Sequence, residues 1–238
     1  MSLFYDSTIT IDTQILQFEK EESKHLAKVL RKKEGDTVLF TNGFGLEWKG
    51  RIIELSINKS KAEKIDFIQH QIPEHRIHLA IAPTKNNNRM EWLIEKLTEL
   101  GVASITPLLC NHSERKEVKR ERYEKIAIAA IKQSHQFFLP LIHPIITIEE
   151  NLNQNYYPLF IAHCQKGNKS LLLQQSTNHD QLALLIGPEG DFSPNEIKMA
   201  LSKGAIPVSL GPQRFRTETA GFVACHTVFL AHLQKTHS

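Results

Sequence analysis

Two short segments near the C-terminus each run from an apolar stretch through a Gly-Pro pair into a helix start, and this repeated order leaves few folds open. The first is LALLIGPEGDFSPNEI, residues 182–197, and the second is PVSLGPQRFRTETA, residues 207–220. Strand, tight loop, helix is the unit of an α/β sheet, whose ligand sites lie at the carboxyl ends of its strands. Gly187, Gly190 and Gly211 have no Cβ and let a ligand come close to the main chain, while Pro188 and Pro212 stiffen the bends. One such loop is ordinary punctuation. Two, expected side by side, predict a pocket walled largely by backbone.

The chain from Arg76 onward alternates in the same way. IHLAIAP reads as a strand, and NRMEWLIEKLTELG as an amphipathic helix with Met90, Leu93, Ile94, Leu97 and Leu100 at helical spacing and Gly101 as its C-terminal cap. VASITPLL is the next strand, the charged stretch 114–135 a helix, PLFIAHC a strand, and LALLI and PVSL the last two. Ser193-Pro194-Asn195-Glu196 combines a capping box with proline at the first helical position, and an N-cap of this kind contributes about 1 kcal/mol. The final helix, from about Thr217 to Gln234, offers Phe222, Val223, Val228, Phe229 and Leu230 for burial.

Residues 1–72 have another character. VLFTNGFGLEWKGRII has two β-rich arms joined by Asn42-Gly43 and Gly45, a hairpin signal. SKHLAKVLR before it reads as a short helix with Leu26, Val29 and Leu30 on one side. Several short strands in so short a stretch predict a small barrel or sandwich. His70-Gln71-Ile72-Pro73-Glu74 reads as a linker, so the domains are expected at 1–72 and 73–238.

A chain of 238 residues can bury a sizeable core in one or two domains. It has no apolar run long enough for a membrane span and no export signal at its start, and its three cysteines, Cys110, Cys164 and Cys225, form no CxxC pair. A cytoplasmic protein is expected. The net charge of +3 arises entirely after residue 72, since residues 1–72 hold 11 basic and 11 acidic side chains. Basic clusters stand at Lys24–Lys33 and Arg115–Lys125, the second interleaved with Glu114, Glu117, Glu121 and Glu124 at helical pairing distance, as on a solvated helix face. His75 and His78 would face opposite sides of a strand, so no metal site is expected. Met90 and Trp92 read as core or dimer contacts rather than a base-stacking platform. A GxGxxG fingerprint and a Walker loop are both absent, which weighs against dinucleotides and nucleoside triphosphates.

The pair GPEGDFSPNEI and SLGPQRFRTETA resembles the RsmE family of ribosomal RNA methyltransferases, within the SPOUT (trefoil-knot) superfamily. HLAKVLRKKEGD and RMEWLIEKLTELGVASITP extend the likeness over essentially the whole chain. The resemblance implies an α/β fold with a C-terminal knotted SPOUT methyltransferase domain built on a parallel sheet, and an N-terminal PUA-like β-barrel domain that binds RNA. It implies methylation of N3 of a uridine in small-subunit (16S) ribosomal RNA, with S-adenosylmethionine as donor. It also implies a homodimer with the knot region at the interface, one subunit's small domain holding RNA against the other's cofactor. Three departures stand out: relatives often carry glycine where this chain has Asp191, a Gly-Arg pair near His135-Gln136, and Arg-Ile-Leu-Arg in place of Gln213-Arg214-Phe215-Arg216.

Ile186, Gly187, Pro188, Glu189 and Gly190, with Ser209, Leu210, Gly211, Phe215, Arg216, Thr217, Thr219 and His163, are the candidates to hold the cofactor. The uridine imide is a weak acid that must lose its proton, so a guanidinium near the base favours the developing anion, and a carboxylate or water takes the proton. Arg216 is the candidate for the first role, and Glu218 for the second or for orienting Arg216. Glu218 equally suits the positive end of the last helix. Lys28, Arg31, Lys85, Arg89 and Arg115 are the candidates for RNA phosphates. A methyltransferase of the same superfamily acting on another RNA, and a non-catalytic RNA-binding protein, remain as alternatives.

Overall fold

The computed structural model describes residues 2–154 and 158–236. It divides into two compact units, one of residues 1–72 with Ile131–Leu139, the other of Pro73–Ala130 with Pro140–Ser238. The first unit therefore takes in a later segment that a single cut after residue 72 does not anticipate.

In the first unit, β1 (Leu3–Tyr5), β2 (Ile15–Gln17), α1 (Lys20–Lys24), β3 (Thr37–Thr41), β4 (Leu46–Glu54) and β5 (Lys61–Gln69) follow one another. The strands form one open, half-barrel sheet in the order β1-β3-β4-β5-β2, antiparallel except for the β1–β3 pair. Phe4, Phe18 and Phe40 stack at 5.0–5.1 Å in its core, with Trp48 edge-on to Phe40. The helix expected over SKHLAKVLR is α1 followed by a π-helical turn, His25–Val29, in which Leu30 N–H donates to the His25 carbonyl five residues back. The wider turn rotates the side chains relative to α-helical spacing. Leu26 is buried as expected, whereas Val29 faces solvent.

The β3–β4 hairpin turns where Asn42-Gly43 and Gly45 predict it, with Gly43 at φ +79° and Gly45 at φ +86°. Segment 131–139 is bound to this turn: Gly45 N–H donates to the Phe137 carbonyl, Leu139 N–H to the Gly43 carbonyl, and Phe44 bridges Phe138.

The second unit contains β6 (Arg76–Ile81), α2 (Asn87–Glu99), β7 (Ser104–Leu109), α3 (Arg120–Ser134, whose last residues group with the first unit), β8 (Leu141–Ile142), β9 (Ile146–Thr147), α4 (Ile148–Leu152), β10 (Leu159–Ala162), β11 (Ser170–Leu171), α5 (Leu172–Ser176), β12 (Gln181–Ile186), α6 (Pro194–Ser202), β13 (Ile206–Ser209) and α7 (Thr217–Thr236). Its strands pair in parallel in the order β11-β13-β10-β12-β6-β7-β8, with β9 beside β7. The charged helix α3 begins at Arg120, not at 114. Residues 114–119 stay non-helical, and the Arg115 side chain there bonds to the Thr84 and Lys85 carbonyls. No helix among the described residues is long and apolar enough to cross a membrane.

One side of this sheet, with Ala80, Ala82, Leu108, Ile161 and Leu185, packs with Phe192, Ile197 and Ala200. Helix α2 buries Met90, Leu93, Ile94 and Leu97 as its spacing predicts, and it packs with α7. Helix α7 differs from expectation. Its fully buried stripe is Gly221, Ala224, Cys225, Val228 and Ala231, while Phe222, Val223 and Phe229 are half-buried and Leu230 is exposed. A Cβ on Gly221 would stand 2.7 Å from Ile81 Cδ1, so small residues let the helix approach the sheet closely.

This packing makes two measurable predictions. A Cβ on Gly45 would meet the Phe138 ring at 2.5 Å and the His70 carbonyl at 2.9 Å, at a left-handed φ. Gly45→Ala should lower stability by about 2–4 kcal/mol, read as a shift in the chemical denaturation midpoint. His78, buried in β6 between Ser104 Oγ at 2.7 Å and Gln181 Nε2 at 3.0 Å, is pushed down from 6.5 to about 4, first by burial and then by Arg76 and His143. The unfolded chain therefore binds this proton first as pH falls. Stability conferred by the neutral ring is complete above pH 6.5 and is lost progressively down to about pH 4, by about 3 kcal/mol in all. His78→Gln should flatten the denaturation midpoint against pH over that window.

Candidate functional site

A cleft of about 720 Å³ opens at the carboxyl ends of the parallel strands of the second unit, a volume suited to a cofactor-sized ligand. The loops after β12 and β13 line it, as their Gly-Pro pairs predict. They are not neighbours in the sheet, however: β10 runs between β12 and β13, and its own end, Ala162-His163-Cys164, forms a third wall. That interleaving reflects the order of strands in space, which no local pattern carries. Ala162, Cys164, Lys169 and Asp191 belong to the lining and were not among the candidates the sequence offered.

Among the cofactor candidates, Ile186, Gly187, Pro188, Glu189, Ser209, Leu210, Gly211, Phe215, Arg216, Thr217 and His163 line the cleft. Gly190 and Thr219 are not part of its lining. The glycines serve different ends. A Cβ on Gly187 would press on Phe192 at 3.0–3.2 Å and one on Gly190 on His112 at 3.1 Å, so these two make room for protein. Gly211, at φ +132°, has only Gln213 Oε1 within reach at 3.5 Å, and its open side fits the close approach of a ligand.

The first Gly-Pro loop is held from several directions. Asp191 sits at φ +65° and its Oδ2 accepts the Cys164 N–H at 2.8 Å, which ties the β12 loop to the end of β10. The Asp191 carbonyl can only accept, so His112 Nδ1 carries the proton in their 3.0 Å bond. The Ser193–Glu196 capping box forms as expected and also serves as a clamp: Glu196 Oε1 accepts Asn111 N–H at 2.8 Å, and Ser193 Oγ accepts from Asn111 Nδ2 at 3.0 Å. The Lys85 N–H donates to Glu189 Oε1 at 3.2 Å. The loops after β6, β7, β10 and β12 are thus laced together.

His163 Nδ1 is buried without a hydrogen-bond partner at the cleft. Burial, with help from the Lys169 ammonium and against the pull of Asp191, holds its pKa below the ordinary imidazole range. The neutral ring keeps Nδ1 out of solvent behind the cleft wall, where a charged imidazolium would be costly. Lys169 itself is spent on the His163 and Gln165 carbonyls at 2.6 and 2.8 Å.

Arg216 lies exposed on the cleft wall, and its guanidinium has no ion-pair partner among the described residues. Glu218 is buried in the first turn of α7 and does not line the cleft. Its Oε1 lies 3.5 Å from Arg89 Nε, and its Oε2 is buried without a partner. Of the phosphate candidates, Lys28 and Arg31 are exposed in the first unit, Arg31 at φ +50°. Lys85 pairs with Glu114 at 2.9 Å, Arg89 with Glu218, and Arg115 with main-chain carbonyls.

Comparison with known proteins decides the family. Residues 70–229 match the model of the RNA methyltransferase domain, and residues 18–65 that of the RNA methyltransferase PUA domain. The ribosomal RNA small subunit methyltransferase E of Synechocystis is 31% identical over 92% of this chain and 72% of its own. The chain belongs to the RsmE family. A probable rRNA-methyltransferase of Porphyromonas gingivalis superposes with a TM-score of 0.88 at 36% identity, covering 98% of this chain and 100% of its own. The ribosomal RNA small subunit methyltransferase E of Neisseria gonorrhoeae, bound to S-adenosyl methionine, gives 0.84 at 25% identity over 95% of each chain. The family fold accounts for the open β sheet of the first unit and the parallel sheet of the second.

The cysteines provide a probe of the cleft. Cys110 and Cys225 are buried, and burial pushes both thiols up, Cys110 to about 12. Cys164 is exposed on the cleft wall. Iodoacetamide should modify one thiol of the native protein rapidly, and peptide mass mapping should place it at Cys164.

Proposed function

We propose that this protein is an S-adenosylmethionine-dependent methyltransferase acting on N3 of a uridine in small-subunit ribosomal RNA. The observation that carries the reading is a single cleft lined by both Gly-Pro loops, with the unpaired Arg216 on its wall, in a chain of this family. The cleft suits the donor: it combines an open Gly211, acidic Glu189 and Asp191, and basic Arg214. Such mixed charge matches a ligand that carries a carboxylate, an ammonium and a sulfonium together. The main chain around Ile186–Glu189 and Ser209–Phe215, with the Thr217 hydroxyl, would hold it, and the neighbouring Gly190 and Thr219 would shape those loops. When bound, S-adenosylmethionine supplies an electrophilic methyl group.

The protein's own share of the chemistry is to favour an anionic uracil N3. Arg216 stabilises the charge left on the imide as its proton departs, and does so most strongly where water is excluded. Solvent is the proton acceptor, since Glu218 stands outside the cleft. Glu218 is a positioning residue: with Arg89 it fixes the first turn of α7, two residues beyond Arg216. Lys28 and Arg31, both exposed, contact phosphates.

The homodimer expected of this family would use the aromatic strip of α2 and α7. Trp92, Phe222, His226 and Phe229 follow one another at 5.6–6.4 Å on a face that also exposes Leu230 and Leu233. A protein of this activity works where ribosomes are assembled, in the cytoplasm.

Arg216→Ala should lower kcat for methyl transfer by about 10²–10³-fold, the usual effect of removing a charge-stabilising donor. Donor affinity, measured by calorimetry, should change little. Mass mapping of modified uridines in small-subunit RNA checks the first point, and activity within threefold of wild type would refute the role. S-adenosylmethionine should also slow alkylation of Cys164.

A further inference from the structure

Phe44, at the tip of the β3–β4 hairpin, is 74% exposed, the highest value for a large apolar side chain among the described residues. Isolated exposed apolar residues are common and call for no explanation. The backbone beneath this one is another matter. Phe44 N–H donates to Asn42 Oδ1 at 2.8 Å and its carbonyl accepts from Gln69 Nε2 at 3.1 Å. Gly43 and Gly45 on either side take left-handed conformations, and both are bonded to segment 131–139 of the same unit. Behind the tip, Phe137 stacks on His70 at 4.5 Å and 13°, and His70 Nε2 lies 2.8 Å from Glu47 Oε2. An apolar ring is thus presented to solvent on a turn in which the main-chain groups of Gly43, Phe44 and Gly45 are all engaged.

We propose that Phe44 is a stacking platform for an unpaired nucleobase of the RNA substrate; this rests on the RNA-methyltransferase reading above. Two observations favour a base over other occupants. The hairpin lies within the stretch that matches the RNA methyltransferase PUA domain, residues 18–65. Residues 1–72 nevertheless carry as many acidic as basic side chains, so attraction to phosphates provides little net grip there, and contacts insensitive to charge must supply more of it. A flat ring on a fixed backbone suits that need, because every base has a π-face and the ring loses little freedom on binding. One protruding ring is also far smaller than a protein–protein interface, which takes roughly 20–30 residues a side.

The experiment compares wild type with Phe44→Ala, Phe44→Leu and Phe44→Trp in the full-length protein, using naked small-subunit ribosomal RNA and assembled small subunits. Stacking on one aromatic ring corresponds to about 5–150-fold in affinity. Phe44→Ala should raise Kd and KM for RNA within that range while kcat and donor affinity stay at wild-type values. Phe44→Leu should be as weak as the alanine variant and Phe44→Trp as strong as wild type. The slope of log Kd against log salt should not move, since stacking releases no counterions. Full affinity in Phe44→Leu, or no change in Phe44→Ala, overturns the proposal. So does a loss seen with assembled subunits alone, which identifies a protein occupant, or a change in sedimenting mass, which identifies a second copy. A wild-type protein that binds RNA but transfers no methyl group would refute the enzymatic reading and leave the Phe44 comparison intact.

Discussion

Parallel pairing is the constraint from which the site follows. Because paired strands of the second unit's sheet run the same way, the loops that leave them open at one edge, and residues distant in sequence meet there. Six backbone and side-chain bonds then lock the loops to one another, through Asp191, Glu196, Ser193, Glu189 and Arg115. Four of these five side chains work as braces for main-chain N–H or C=O groups. The side of the cleft built on the first Gly-Pro loop is therefore shaped before any ligand arrives, which spares binding the entropy of ordering those loops.

The final helix shows how packing at one place frees surface at another. Gly221, Ala224, Cys225, Val228 and Ala231 repeat at helical spacing and bring α7 close to the sheet. Close approach leaves no room for the larger residues on that side. Phe222, His226, Phe229 and Leu230 are consequently displaced outward, where with Trp92 they form the aromatic strip proposed as the dimer face.

Much of this was legible in the residues. The strand–helix alternation, the NG hairpin, the spacing of α2 and the Ser193–Glu196 capping box all rest on local chemistry, and local chemistry survives in the fold. What escaped was set by tertiary contacts. Large apolar residues on α7 suggested burial, but the fit against Ile81 selected the small ones. Val29 looked inward on α-helical spacing, and the π-helical turn carried it out. The glycines of the first loop suggested room for a ligand, whereas Phe192 and His112 fill the space beside Gly187 and Gly190. Of the third wall only His163 was a candidate in the sequence, because the rest depends on β10 lying between β12 and β13.

Asp191 and His135 both adopt left-handed backbone, the region that favours glycine, at φ +65° and +56°. A side chain in that region is strained by about 1–2 kcal/mol. At Asp191 the carboxylate offsets the strain, since its two oxygens accept the Cys164 and Phe192 N–H groups and join two walls of the cleft, which glycine could not do. At His135 the offset comes from the next residues along the chain. The turn directs Phe137 and Phe138 beneath the hairpin tip, where they complete a small aromatic cluster with His70. In both places the backbone keeps the shape that glycine would adopt, and local strain is exchanged for contacts that join separate parts of the chain.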